Sequence, residues 1–117
     1  MNHDQLRLFH GPTLRGPWVE HPDSPLVDRG PLDRTTCWRP LVIDGRTYRL
    51  AQDCTTNYGV GVVAHEITHL TPTDYAECDT PLRLLAAGGT GWRRNGMHHL
   101  SAQPLPSGDW LIATDGW

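Results

Sequence analysis

The sequence predicts an all-β protein made of short antiparallel strands joined by tight turns. Three observations carry that expectation. The 117 residues include 12 glycines and 10 prolines, with a hydrophobic content of only 38%, a profile that suits many short strands rather than helices. Asp44-Gly45 lies between two short runs of β-forming residues, which is among the strongest local hairpin signals. The stretch His21-Pro22-Asp23-Ser24-Pro25 is punctuated by prolines that exclude a helix.

Taken in order, Leu6 to Phe9 reads as a short strand and Gly11-Pro12 as the start of a loop. Gly16-Pro17-Trp18 opens a second extended piece. Residues 28 to 36, DRGPLDRTT, read as a polar connection. Cys37 to Ile43 and Thr47 to Gln52 form the two arms of the Asp-Gly hairpin. Gly59 to Leu70 is the next strand, Thr73 to Glu77 a short turn, and Leu82 to Leu85 a fourth strand. Ala86 to Gly91 is a glycine-rich loop; no Lys-Ser/Thr follows it, so it lacks the marks of a phosphate cradle. His98 to Gln103 and Trp110 to Thr114 make a final hairpin around Pro106-Ser107-Gly108-Asp109. Hairpins centred on Asp-Gly or Gly-Asp thus recur, without an exact internal repeat.

The segment 59–70 contains His65-Glu66-Ile67-Thr68-His69, the string of a zinc peptidase. On a helix it sets two imidazoles one turn apart with a carboxylate between them. On a strand the two histidines stand about 13 Å apart, too far to share one metal. Val60, Val63, Ala64, Ile67 and Leu70 fit helical spacing. Gly59, Gly61, the β-branched content and Pro72 oppose it. Periodicity alone leaves both readings open.

Longer phrases bear on the choice. Arg39-Pro40 before a strand, IDGRTYRLAQDC, Tyr58-Gly59 and HEITHLTPTDYAE resemble the repeat unit of one group of propellers. These are the N-terminal domains of plant glucosamine inositolphosphorylceramide transferases and related bacterial proteins. The opening LRLFHGPTLRGPWVEHPDSPLV and the closing GMHHLSAQPLPSGDWLIATDGW are similar to phrases of the same group. The resemblance covers nearly the whole chain. It implies a partial β-propeller of the five-bladed, glycosidase-like type, with about two to three blades spread over residues 1–30, 37–86 and 96–117 of one domain. A closed propeller has four or more blades of about 40 to 50 residues. The resemblance therefore implies either the missing remainder of a propeller or a homo-oligomer that covers the open edges. It also makes Glu66 and Ile67 ordinary strand residues, with Glu66 on an outer strand.

Composition narrows the partners. The formal net charge is -3 and no basic run exceeds Arg93-Arg94, which excludes a nucleic-acid face. No apolar run approaches the roughly 18 residues of a membrane span. The opening MNHDQLRLF lacks a signal-peptide pattern. Cys37, Cys54 and Cys78 make neither a zinc ribbon nor a disulfide framework, so a cytoplasmic, reduced setting is expected. Five tryptophans against one phenylalanine read as core filling between strands or, alternatively, as platforms for stacking sugars.

The propeller reading directs attention to the axial funnel, and a sugar or sugar-containing small molecule is the expected partner. Candidate ligand-binding residues are Arg39, Gln52, Tyr58, His98 and His99. Asp53 is the best candidate catalytic acid, with Glu66 second; for Asp53 the competing role is to cap the loop from Cys54 to Tyr58. Glycoside hydrolysis needs two carboxylates flanking the bond, and the related glycosidases carry an acid in an Arg-Asp-Pro phrase. Here Arg39-Pro40 has no Asp between. Binding without complete catalysis, and without a cofactor, is the expectation. The alternatives are a zinc metallopeptidase using His65, Glu66 and His69, with Glu77, Asp79 or His98 as third ligand, and a structural assembly domain.

Overall fold

A computed structural model describes residues 5–28, 39–53, 60–79, 81–86, 88, 91–92, 94–97 and 99–116. The described residues contain β-strands and no helix. In chain order they are β1 (Gln5–Leu6), β2 (Phe9–His10), β3 (Val19–Glu20), β4 (Val27–Asp28), β5 (Leu41–Ile43), β6 (Arg46–Asp53), β7 (Gly61–Leu70), β8 (Tyr75–Glu77), β9 (Leu82–Ala86), β10 (Leu100–Pro104) and β11 (Trp110–Thr114).

The centre of the molecule is an antiparallel sheet of order β5-β6-β7-β8, with β9 also paired to β7. β8 takes the C-terminal half of β7 and β9 takes the N-terminal half. The sheet is therefore four strands wide although five strands build it. The β5–β6 turn is a two-residue loop with φ of 50° at Asp44 and 75° at Gly45. Both positive values are what a hairpin matching the right-handed strand twist requires, and Asp-Gly supplies them at low cost.

Alternation along β6 and β7 sends successive side chains to opposite faces. Leu50, Val62 and Ala64 share one face and pack against Leu100 of the β10–β11 hairpin, with Leu41, Tyr48, Leu84 and Leu85 around them. Arg49, Ala51, Asp53, Val63 and His65 occupy the other face. At Arg49 and Ile67 that side meets the N-terminal segment through Leu6, Leu8 and Leu26, where β1 pairs with β4 and β2 with β3. Three β layers result, and the middle one is covered on both sides. This is why residues 49–53 and 61–65 are buried without a break, as expected of strands without a solvent face.

Several elements depart from the sequence reading. The Leu6 to Phe9 strand is two separate two-residue strands, because β1 and β2 pair with different partners. The expected turn at 73–77 contains β8, whose Ala76 and Glu77 continue the ladder on β7. β7, expected to be an outer strand, is the strand with three pairing neighbours. Trp18, Trp92 and Trp110 are exposed rather than core residues. No described helix is long and apolar enough to cross a membrane.

Candidate functional site

The polar residues on the N-terminal face of the central sheet form a buried network. Arg49 of β6 reaches across β7 to Glu77 of β8, donating from Nε and Nη2 at 2.8 Å each. Tyr75 adds its hydroxyl to Glu77 Oε2 at 2.7 Å. A bidentate arginine–carboxylate pair is among the strongest polar contacts available to a protein. Burial alone would raise the pKa of Glu77, but the donors Arg49 and Tyr75 and the Arg49 charge outweigh it and hold the carboxyl below its ordinary value. Burial first, and then the hydrogen bond to Glu77 and its charge, push the Tyr75 phenol well above its usual range. The network is thus a fixed ion pair with a protonated phenol beside it.

Asp53, at the end of β6, is 1% exposed and accepts a 2.7 Å ion pair from Arg83 Nη1 of β9. Gly61 stands directly opposite Asp53 in the ladder. A Cβ on Gly61 would lie 2.6 Å from the Leu85 carbonyl oxygen and 3.2 Å from Arg83 Nη1. The missing side chain therefore lets β9 approach and lets the guanidinium reach Asp53. Gln52 is also buried but lies on the opposite face. Strand alternation thus keeps Gln52 and Asp53, adjacent in sequence, from serving one site.

Residues 65–69 belong to β7, which decides the open question about the zinc-peptidase string. His65 is buried and donates from Nδ1 to the Cys78 carbonyl at 3.2 Å, whereas His69 is exposed beside Thr68. Glu77, a proposed third ligand, is held by Arg49 and Tyr75. The helical metallopeptidase arrangement is not formed. Among the described residues no group of three or more His, Cys, Asp or Glu is placed to hold a metal. Glu66 faces Arg46 at 3.8 Å.

Arg39 is exposed and donates to Gln103 Oε1 at 3.2 Å, linking the approach to β5 with β10. Tyr58, Cys54 and His98 lie outside the described residues. His99 sits beside Asp115: its backbone N–H donates to Asp115 Oδ1 at 2.9 Å, and its Nδ1 is 3.7 Å from Oδ2. Thr114 donates its hydroxyl to the His99 carbonyl at 2.7 Å. These residues, with Ser101 and Ala113, line an open depression of about 300 Å³ on the hairpin. Ser101 and Asp115 were not legible as site residues, because they join His99 only through the β10–β11 register.

A second set of contacts joins the layers. His21, 3% exposed, lies 2.8 Å through Nε2 from the Thr71 carbonyl, while its Nδ1 accepts the Asp23 N–H at 3.0 Å. Those partners fix the tautomer with the proton on Nε2. Asp23 Oδ2 accepts the Tyr75 N–H at 3.0 Å. The 21–25 loop therefore caps the 71–75 turn.

Residues 1–117 match the family described as glucosamine inositolphosphorylceramide transferase 1, N-terminal. The chain belongs to this family. It is 33% identical over 116 residues to glucosamine inositolphosphorylceramide transferase 1 of Oryza sativa subsp. japonica, and the match covers 96% of this chain and 16% of the rice protein. The Arabidopsis thaliana protein of the same name is 29% identical over 115 residues, covering 96% of this chain and 15% of that protein. The chain thus spans about one-sixth of the rice protein's length. No solved structure matches it. Residues in the phrases that carried the resemblance now have physical roles in this chain: His21 and Asp23 join layers, Arg49 and Glu77 join strands, and Asp53 anchors β9.

Proposed function

We propose that this chain is the carbohydrate-recognising part of a β-propeller in a glycan-transfer protein, contributing binding rather than a complete catalytic set. The observation that carries the reading is the match of the whole chain to the N-terminal region of a transferase family. The layers support it: a sheet four strands wide, covered by shorter antiparallel pieces on both faces, is what one blade and portions of its neighbours look like. Three carboxylates of the central sheet support the division of labour. Asp53 faces Arg83, Glu77 faces Arg49 and Glu66 faces Arg46, so none of them stands as one of two acids flanking a sugar bond. Asp53, in this reading, is an anchor for β9 rather than a general acid.

The test is saturation-transfer NMR of the 117-residue chain against methyl glycosides and nucleotide sugars. Transfer to the sugar protons is expected. A chain that passes no saturation to any sugar, yet forms an oligomer of defined mass in light scattering, is an assembly domain instead. That second reading is favoured by one observation: Trp110, Leu111 and Ile112 of β11 form an exposed apolar run that a second copy of the chain could cover.

A further inference from the structure

We propose that the outward face of the β2–β3 hairpin is the sugar site, where a pyranose ring stacks on the Trp18 indole and turns its hydroxyls to the Arg7–Glu20 pair. The inference rests on the carbohydrate-binding reading above and names where that binding occurs. The register that pairs Phe9 with Glu20 and His10 with Val19 continues to Gly11 and Trp18. Phe9, Gly11, Trp18 and Glu20 therefore share one face of the hairpin. Leu8 lines the cavity against the central sheet, which leaves its neighbour Phe9 on the outward side, 48% exposed. The indole on that face is positioned by backbone. A Cβ on Gly11 would stand 3.2 Å from Trp18 Cε3, and one on Gly16 would stand 3.1 Å from Cδ1 and 3.3 Å from Nε1. The two glycines thus flank the ring, one at its benzo half and one at its pyrrole half, and a side chain at either would displace it. The Gly16 N–H donates to the Thr13 carbonyl and the Thr13 hydroxyl to the Gly16 carbonyl, each at 3.0 Å, which fixes the turn that carries Gly16. Trp18 nonetheless stays 53% exposed. A large apolar surface is presented with little side-chain freedom left to lose on binding.

The chemistry of the face suits a sugar. A pyranose presents axial C–H bonds on its faces and hydroxyls around its edge. The C–H bonds meet the negative face of an indole. The hydroxyls each donate and accept, so their complement is a donor and an acceptor side by side. Glu20 lies two residues from Trp18 along the same strand, about 7 Å away, within reach of the edge of a ring stacked on the indole. Arg7 Nη1 donates to Glu20 Oε1 at 3.0 Å, and Ser24 Oγ donates to the same oxygen at 2.9 Å, so the carboxylate is held in place. The Arg7 and Glu20 side chains keep 53% and 39% of their surfaces exposed. An exposed ion pair contributes at most about 1 kcal/mol to stability, so folding alone gives little reason for this one. Its guanidinium fork and carboxylate together match the two hydroxyls of a vicinal diol. The two charges cancel, and an uncharged sugar fits.

The experiment is NMR titration of the 117-residue chain with methyl β-glucopyranoside and methyl β-cellobioside. Shifts are expected at the Trp18 indole N–H and at the Gly11 and Gly16 amides. Trp18→Ala is expected to raise Kd about tenfold or more, a loss of roughly 1.4 kcal/mol. Glu20→Gln keeps the shape and removes the charge, and is expected to raise Kd about threefold, the scale of one hydrogen bond. It decides the matter if Trp18→Ala disturbs the hairpin. Trp92→Ala removes another exposed indole and is expected to leave Kd unchanged. If the chain binds sugar and neither Trp18→Ala nor Glu20→Gln weakens it, or Trp92→Ala weakens it as much, this site is overturned while the carbohydrate reading stands. A lower mass of Trp18→Ala in light scattering, with sugar affinity unchanged, would give the face to a second copy of the chain instead. If the unaltered chain shows no shifts with either sugar, the carbohydrate reading fails and the site with it.

Discussion

Glu77 shows how one side chain joins separate strands. Its carboxylate takes two donors from Arg49 and one from Tyr75, so removing its charge withdraws that charge from a buried guanidinium. Glu77→Gln is expected to destabilise the protein by about 3 kcal/mol at pH 7, the lower end for a broken buried pair. The sign of the pH dependence follows from its lowered pKa. A carboxyl with a folded pKa below its unfolded value, about 4.3, contributes stability above that value and loses it as the pH falls through the folded pKa. Urea denaturation at neutral and at strongly acid pH should therefore show a gap between parent and Glu77→Gln that narrows in acid. A gap of constant size would mean that the carboxylate charge is not what Arg49 requires. The same residue scale accounts for His65 and His69: one strand lays the first in the core and the second in solvent.

At the scale of elements, the β7–β9 pairing depends on what is missing from Gly61. A methyl there would press on the Leu85 carbonyl and the Arg83 guanidinium. Gly61→Ala is expected to cost about 1–3 kcal/mol, the usual range for overpacking, and to loosen β9 before the rest of the sheet. Hydrogen exchange checks this, with protection expected to fall at Leu82 and Leu85 while the β6 amides keep theirs. Equal loss across β6 and β9 would place the strain elsewhere. The ladder also explains why β8 escaped the sequence reading. Tyr75–Glu77 has the length of a turn, and only the vacant edge at the C-terminal half of β7 gives it a partner.

For the whole molecule, the question is what holds the N-terminal layer to the central sheet. Leu6, Leu8, Leu26, Ile67 and Leu70 line an apolar cavity of about 210 Å³ between them, so packing there is incomplete. The His21 contacts to the 71–75 turn carry a correspondingly larger share of the docking. His21→Ala leaves the Thr71 carbonyl and the Asp23 amide without that partner, at a cost of about 1–3 kcal/mol. Limited proteolysis should then cut within residues 5–28 well before the central sheet. Release of the two regions at the same rate would show that the layers are joined mainly by apolar contact.

Local chemistry was enough to specify much of this protein from its sequence alone. Asp44-Gly45 set a two-residue hairpin because few other pairs adopt two successive positive φ values. Gly, Pro and β-branched residues indicated strands, and the phrases from Arg39-Pro40 to HEITHLTPTDYAE pointed to the transferase family. In HEITH the apolar spacing fitted a helix while Gly59, Gly61 and Pro72 opposed one, so local signals did not close the choice. That choice fell to the ladder with Arg46–Asp53. Nor does local sequence reveal that Asp53 faces Arg83, that Glu77 faces Arg49 or that Asp115 lies beside His99 and Ser101. Such pairs form across strands, where register rather than spacing along the chain sets the neighbours. The sequence thus determined that the chain is built of strands and where its clearest turns fall, and the tertiary structure decided how the strands divide and pair and which polar side chains meet, because contacts between strands depend on pairings that no single stretch of chain encodes.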